Sequence, residues 1–230
     1  VHDLRGADLA GGGAGAPITP RADAVLYHDH RAAGGTLAIV NLGGFANVTL
    51  LPNPTDLADD RFVGIEGFDC CPCNHVLDAA AQTLLGTPFD VDGTVAMTGR
   101  PDSTAADRLQ GSISQLFRAG RSGGDGDETR AFAIEIARSA ASPEDGLATL
   151  HRAVATAVID CIETRCDERT ISRPTAFVLA GGGVLNRRLV REIEERADGP
   201  VRSSDEVGVP AQAREAAAMA ILGLLAFDGV

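Results

Sequence analysis

The chain has 230 residues, enough for one large domain or two small ones with a core that needs no disulfides. Its 20 basic and 32 acidic residues give a net charge of −12, which opposes nucleic-acid binding because a phosphate backbone attracts clustered cations. No apolar run approaches the ~18 residues that span a bilayer, and no segment has the order of a signal peptide. We therefore expect a cytoplasmic globular protein without nucleic-acid or membrane partners, and the odd count of five cysteines fits a reducing compartment.

A glycine-rich segment precedes the first predicted strands. Residues 6–20 are dense in glycine and end in prolines, which indicates a loop that approaches other backbone closely, with a flexible tail as the alternative. Residues 36–51 contain two β-rich runs around Gly43 and Gly44. The two glycines supply a turn signal, so this region predicts a β-hairpin.

A third strand and a helix are predicted next. Residues 61–69 have the composition of a strand, and residues 74–86 have the pattern of a helix. Asn74 is placed to cap the start of that helix, and Gly86 lies just past its end.

The second half of the chain predicts strand–glycine–helix units. Residues 119–128 contain glycine and charge with nothing to bury, so we expect a flexible loop there. A helical stripe that includes Cys161 follows, then a buried strand at 175–180 that leads into Gly181, Gly182 and Gly183. A helix, a short strand near Val201 and a final helix at about 211–227 complete an α/β layered domain.

Three of the five cysteines lie in the stretch GFDCCPCN, residues 67–74. A zinc site is disfavoured because adjacent thiolates diverge, and because Cys161 and Cys166 would lie about 140° apart around a helix. A metal site and a redox pair formed by Cys71 and Cys73 remain as minor alternatives.

Two other features indicate chemistry. A carboxylate such as Asp69, at the end of a strand and before a helix, can accept a proton from a hydroxyl or water that attacks a phosphoryl group. The alternative is a simple helix cap. The run Gly181–Gly183 lets a ligand lie against bare backbone, with close helix–strand packing as the alternative. The dinucleotide-binding and P-loop glycine spacings are not found, so neither class is supported.

Six motifs, in this order, resemble those of the anhydro-N-acetylmuramic acid kinases, which share the fold of actin, sugar kinases and heat-shock chaperones. They are DLRGADLAGGGAGAPITP (3–20), NLGGFANVTLL (41–51), GFDCCPCNHVLDA (67–79), FDVDGTVAMTG (89–99), LAGGGVLNRRL (179–189) and SSDEVGVPAQAREAAAMAILG (203–223). The resemblance implies an actin-like, ribonuclease H-like α/β fold, a mixed sheet with flanking helices. It also implies that residues 1–35 are a remnant of the first lobe and residues 36–230 the second lobe.

The family performs ATP-dependent phosphorylation of 1,6-anhydro-N-acetylmuramic acid, with water opening the anhydro bridge, during peptidoglycan recycling. The product is N-acetylmuramic acid 6-phosphate. By resemblance, the cofactors are ATP and its Mg²⁺, Asp69 is the catalytic base, and a homodimer is a possible assembly. The implied substrate-binding residues are Arg5, Asn74 and Glu215. The implied nucleotide-binding residues are Gly43, Gly44, Gly181, Gly182, Gly183 and Asn186.

The sequence also departs from the family pattern. The family's phosphate loop, with most of its first lobe, is not found in these 230 residues. Cys70, Cys71 and Cys73 stand where the family has threonine and two glycines. The alternative function is therefore a non-catalytic remnant, or a half-kinase that needs a separate N-terminal lobe, acting as a binding or interaction module.

Overall fold

The computed structural model describes residues 6, 9–10, 15–31, 35–53, 62, 64–118 and 127–228, and of residues 116–118 and 127–128 it describes the backbone alone. Arg5 lies outside the described residues. So does the predicted loop at 119–128 as far as residue 126, and a helix begins at Asp127.

A single five-stranded mixed sheet forms the centre of the described structure. The predicted hairpin is confirmed, because β1 and β2 pair antiparallel and β3 then pairs antiparallel with β2. On the other side, β1 pairs parallel with β4, and β4 pairs parallel with β5, so the strand order is β3-β2-β1-β4-β5. Four of the five strands therefore end at the same edge. The strands are β1 (Thr36–Leu42), β2 (Phe45–Leu51), β3 (Glu66–Pro72), β4 (Pro174–Ala180) and β5 (Val201–Ser203).

Helices cover both faces of the sheet, and the predicted helices are present. Short 3₁₀ turns lie at His28–His30, Val91–Gly93, Gly182–Leu185 and Asp205–Val207. The α-helices are α1 (Pro20–Leu26), α2 (Asn74–Leu85), α3 (Thr94–Thr98), α4 (Ser103–Arg118), α5 (Asp127–Ser139), α6 (Pro143–Arg169), α7 (Arg187–Glu194) and α8 (Arg214–Phe227).

The larger core lies between one face of the sheet and α6. This 27-residue helix contacts α2 to α5, α7 and strand β3, so it organises the whole layer. The predicted helical stripe is buried here, and it packs against alternate residues of β1. Removing these apolar surfaces from water supplies most of the stability of the layer. The stripe consists of Leu150, Val154, Val158 and Ile162, with Cys161 partly buried beside it.

The opposite face of the sheet holds α1 and α8, which contact each other. Leu37 and Ile39 of β1 point to this face and pack against Tyr27. Alternation along the strand thus gives β1 two buried faces, which explains why all seven of its residues are buried.

Strand β3 differs from its predicted position. The sequence placed a strand at 61–69, whereas the structure places it at Glu66–Pro72. Asp69 pairs with Asn47, and Cys71 pairs with Ala46, so Cys70 is an extra residue between them. An extra residue of this kind is a β-bulge, which bends the strand and increases its local twist. The prediction that Asp69 ends the strand is therefore wrong, because the strand continues to Pro72.

A buried polar cluster links α1, β2 and α8. Arg214 pairs with Asp23, and both side chains are almost completely buried. Asp23 also accepts a hydrogen bond of 2.7 Å from the hydroxyl of Thr49. Burial raises the pKa of Asp23 above its ordinary value, and Arg214 opposes this shift. Nearby, the Tyr27 hydroxyl lies 3.0 Å from the Ser204 hydroxyl.

Replacing one partner of the buried pair is expected to be costly. Asp23→Asn leaves the guanidinium of Arg214 buried without its counter-charge, which costs about 3–5 kcal/mol of unfolding free energy. Urea denaturation would measure this loss. Arg191→Ala, which removes an exposed ion pair with Glu195, serves as the control and should leave the midpoint unchanged. Equal midpoints for wild type and Asp23→Asn would show that the pair does not hold α8 to α1.

Candidate functional site

The turn of the β1–β2 hairpin meets the start of helix α2. Gly44 O accepts hydrogen bonds from the backbone N–H groups of Cys73 (2.8 Å) and His75 (3.2 Å). Gly43 O accepts one from the N–H of Asn74 at 3.1 Å. These three bonds fix the hairpin turn against the N-terminus of the helix and occupy its first backbone N–H groups.

Asn74 has a different local role from the predicted one. The N-cap of α2 is Cys73, and no side-chain hydrogen bond caps this helix. The amide of Asn74 instead donates a 3.1 Å hydrogen bond to the carbonyl of Leu42. Asn74 therefore joins α2 to the last residue of β1, while Gly86 ends the helix in the left-handed conformation as predicted.

The three glycines after β4 are not equivalent. Gly181 has a φ of 82°, and a Cβ there would lie 2.6 Å from Oδ1 of Asn41. A Cβ on Gly183 would lie 2.6 Å from Cβ of Leu42. A Cβ on Gly182 would have no heavy atom within 4 Å. Two glycines thus allow close packing against β1, as in the alternative interpretation, and the middle one faces open space.

A row of polar side chains crosses the sheet near this edge. Asn41 of β1 pairs with Asn47 of β2, which pairs with Asp69 of β3, so the three side chains point to the same face. Asp69 lies two strands from Asn41, about 10 Å away at ordinary strand spacing. Asn41 donates a 3.4 Å hydrogen bond to Glu215 of helix α8. The row therefore brings Glu215 and Asp69 to one face of the sheet, which is the face of α1 and α8.

The cysteines around Asp69 belong to the core and not to an open loop. Cys70, Cys71 and Cys73 are all buried in the larger hydrophobic cluster. Burial raises the pKa of all three thiols, that of Cys73 to about 12. The three thiols are therefore neutral at physiological pH, whereas a metal site would need them as thiolates. Within the described ranges, no three His, Cys, Asp or Glu side chains form a group able to hold a metal ion.

The side chain of Asn186 is engaged within the fold. Its Oδ1 accepts a hydrogen bond from the N–H of Leu189 and caps helix α7. Its Nδ2 lies 2.8 Å from Nε2 of His151, whose Nδ1 lies 2.7 Å from Leu147 O. Because the carbonyl can only accept, Nδ1 of His151 carries the proton and Nε2 accepts from Asn186. Burial lowers the pKa of His151, which keeps this ring neutral.

Most of the predicted site residues in the described part of the chain converge on the end of β1. The hairpin turn, Asn74, Gly181, Gly183 and Glu215 all lie against Asn41 or Leu42 or next to them. Asn186 is joined to this group through its N–H, which donates to the carbonyl of Gly183.

Asn41 and Asn47 lie in the motif NLGGFANVTLL, but neither was among the predicted site residues. A polar residue at the end of an otherwise apolar strand is the signal that could have identified Asn41.

Comparisons with known proteins indicate one family. The family model described as anhydro-N-acetylmuramic acid kinase matches residues 1–230. A protein of that name from Prochlorococcus marinus (strain MIT 9303) is 36% identical over 96% of this chain, and one from Bordetella pertussis (strain Tohama I) is 34% identical over all of it. The chain spans 58% of the length of each of these relatives.

The fold has a counterpart among solved structures. The activator of the 2-hydroxyisocaproyl-CoA dehydratase from Clostridium difficile, with bound ADPNP, superposes with a TM-score of 0.51 at 19% identity. The match covers 87% of this chain and 63% of the activator. The predicted actin-like α/β fold, with its mixed sheet and flanking helices, is confirmed.

The buried neutral His151 is expected to make the fold sensitive to acid. The unfolded chain binds a proton at this residue near its ordinary pKa of about 6.5, whereas the folded chain binds it only at lower pH. Its contribution is therefore complete above about pH 6.5 and is lost as the pH falls, by at most about 1.4 kcal/mol per pH unit.

Urea denaturation at several pH values would measure this dependence. His151→Gln should flatten it between pH 5 and 6.5, whereas His28→Gln, at an exposed position, should leave it unchanged. An unchanged slope in His151→Gln would contradict the assignment.

Proposed function

Because the chain belongs to the anhydro-N-acetylmuramic acid kinase family, we propose that it supplies the ATP-facing and substrate-facing lobe of a 1,6-anhydro-N-acetylmuramic acid kinase. The observation that supports this proposal most directly is the convergence of the hairpin turn, the glycine run and the polar row at the carboxyl edge of the sheet. In open α/β sheets, ligands bind outside the carboxyl ends of the strands.

The nucleotide is proposed to lie over the glycines. Gly43 and Gly44 would border its phosphates, since their turn is fixed against α2 and glycine lets a ligand approach the backbone closely. Gly182 would lie against the nucleoside part, because a Cβ at this position would point into open space.

Asn186 would support the glycine run and not contact the nucleotide through its side chain, because that side chain is already hydrogen-bonded to Leu189 and His151. The Mg²⁺ would arrive with ATP, held mainly by phosphate oxygens and water, and would offset the charge of the phosphates.

Asp69 is proposed as the general base. Its carboxylate would take a proton from water while the water oxygen attacks the anomeric carbon of the anhydro sugar. The C–O bond of the bridge breaks, and the freed 6-oxygen attacks the γ-phosphorus of ATP as ADP leaves. The protein must then hold water, sugar and γ-phosphate in line, and the pairing of Asp69 with Asn47 of β2 positions the backbone that carries the carboxylate.

The sugar is proposed to lie between Asp69 and Glu215. Glu215 is exposed but is oriented by Asn41, so its carboxylate could accept hydrogen bonds from sugar hydroxyls. Asn74 keeps one donor for a ligand after its bond to Leu42. Arg5, which lies outside the described residues, would pair with the lactyl carboxylate through its guanidinium.

The cellular context is proposed from the same family membership. The reaction would belong to peptidoglycan recycling in the cytoplasm, with the amino sugar and ATP as small-molecule partners. A homodimer is a further proposal. None of the described helices combines the length and the apolar character needed to cross a membrane.

A second candidate function is favoured by the cysteines. In the family pattern, glycine and threonine occupy positions 70, 71 and 73, and here three buried thiols fill them. A chain that binds ATP or sugar without turnover, or that works only with a separate lobe, would be a binding module. The chain spans 58% of the length of its relatives. Activity must therefore be measured both for this chain alone and for the chain joined to the part of a relative that it does not match.

The first test concerns the nucleotide. Gly182→Ala is expected to leave the unfolding midpoint unchanged, because the added methyl meets no protein atom, and to weaken ATP·Mg²⁺ binding about tenfold by occupying ligand space. Isothermal titration calorimetry would measure the affinity. Gly111→Ala, an equally open position in α4, is the matched control and should bind as wild type does. Equal affinities in both variants would contradict the nucleotide position.

The second test concerns catalysis. Asp69→Asn should abolish ATP consumption driven by anhydro-N-acetylmuramic acid, since the amide cannot accept a proton, while ATP binding persists. The assay is run on this chain alone and on the chain joined to the part of the Bordetella pertussis relative that it does not match. Asp78→Asn, at an exposed site on α2, is the control. ATP binding without turnover in both arms would favour the binding module.

A further inference from the structure

A cavity lies on the face of the sheet that packs against α6. It has a volume of about 280 Å³ and is bounded by the edge strand β3 and helices α4 and α6. Cys70 and Asp69 line it from the strand, and Cys161 and Arg165 line it from α6. The proposed kinase site leaves the thiols of this cavity without a role.

The thiols of Cys70 and Cys161 line the same cavity from opposite sides, Cys70 from β3 and Cys161 from α6. Alternation along β3 places Cys70 on the same face as Phe68, in the core that packs against α6, so the two thiols interact across this gap. The pair joins residues 91 positions apart in the chain, and neither cysteine forms a disulfide in the structure.

The two cysteines have unequal environments. The interaction with Cys70 lowers the pKa of Cys161, and nearby Arg165 contributes in the same direction. Burial raises the pKa of Cys70, which is only 2% exposed, whereas Cys161 is partly exposed. Cys161 is therefore suited to react first with a small oxidant, and Cys70 is placed to react with the product.

The surrounding charges support this arrangement. The guanidinium of Arg165 stacks over the ring of Phe68 at 5.0 Å, which holds it one helical turn from Cys161. Two acidic residues of the cavity act in the opposite direction: Asp160, which accepts a 2.7 Å hydrogen bond from Gln110, and Glu168, which lies 3.9 Å from Arg165. Their effect is the smaller one, so the pKa of Cys161 is lowered overall. The positive charge near Cys161 stabilises its thiolate.

We propose that Cys161 and Cys70 form a peroxide-responsive thiol pair that closes to an intramolecular disulfide. The Cys161 thiolate attacks one oxygen of hydrogen peroxide, the O–O bond breaks, and the leaving hydroxide takes a proton to become water. The Cys70 sulfur then attacks the sulfenic acid of Cys161, and the S–S bond forms as the hydroxyl leaves with the Cys70 proton as a second water. One peroxide is reduced and two thiols are oxidised.

Closure needs only a local movement. The two sulfurs, which line one cavity, must approach to about 2.05 Å, and the bulged segment of an edge strand can move more easily than a central strand. If the proposed kinase function holds, the bond would also constrain the backbone next to Asp69. The measurements below do not depend on that function.

The experiment treats the full chain with hydrogen peroxide and then measures free thiols and peptide masses. Two of the five thiols should be lost, and reduction should restore them. Trypsin cuts after arginine but not before proline, so it places Cys161 in peptide 153–165 and Cys166 in peptide 166–169, while Cys70, Cys71 and Cys73 share peptide 62–108, in which Arg100 precedes Pro101. A peptide of 153–165 linked to 62–108 is the expected product.

Single variants identify the partners. Cys70→Ser should abolish the link and leave a sulfenic acid on Cys161, detected as a dimedone adduct. Cys161→Ala should abolish both the link and the adduct. Cys166→Ala, at a buried position on the same helix, should form the link as wild type does. A link that persists in Cys70→Ser, or one that contains Cys166, or a Cys161 that resists peroxide in the wild-type chain, would overturn the proposal.

Discussion

The parallel pairing of β1 with β4 is the constraint on which the candidate site depends. Parallel strands end at the same edge, so the turn after β1 and the glycines after β4 must occupy neighbouring space. The contact is so close that Gly181 and Gly183 leave no room for a Cβ against Asn41 and Leu42. Packing against β1 therefore requires glycine at positions 181 and 183, whereas Gly182 faces open space.

Local signals explain what the sequence could predict. The hairpin at Gly43 and Gly44, the helix ending at Gly86 and the strand before Gly181 each depend on residues close together in the chain. The family resemblance, carried by six short motifs in order, then predicted the fold, which is confirmed, and a set of site residues, which stay a prediction. Such motifs identify neighbours along the sequence, but they do not determine which strands pair or in what register.

Long-range register explains what the sequence could not predict. Asp69 was expected at a strand end, yet β3 continues for three residues because Cys71 pairs with Ala46 after the bulge. The side chain of Asp69 therefore belongs to a row with Asn41 and Asn47, a relation that only the pairing of three strands creates. Alternation places Cys70 on the opposite face, towards α6, and the extra residue at the bulge allows Cys71 to be buried on that face as well.

The buried pair of Asp23 and Arg214 connects stability to the site. Arg214 is the first residue of helix α8, and Glu215 follows it directly. Because Arg214 is held by α1, the start of α8 has a fixed position, and the carboxylate of Glu215 reaches Asn41 at the end of β1. An exposed glutamate would otherwise sample many rotamers at an entropic cost on binding. A charge pair hidden between two helices thus positions an exposed side chain at the edge where four strands end.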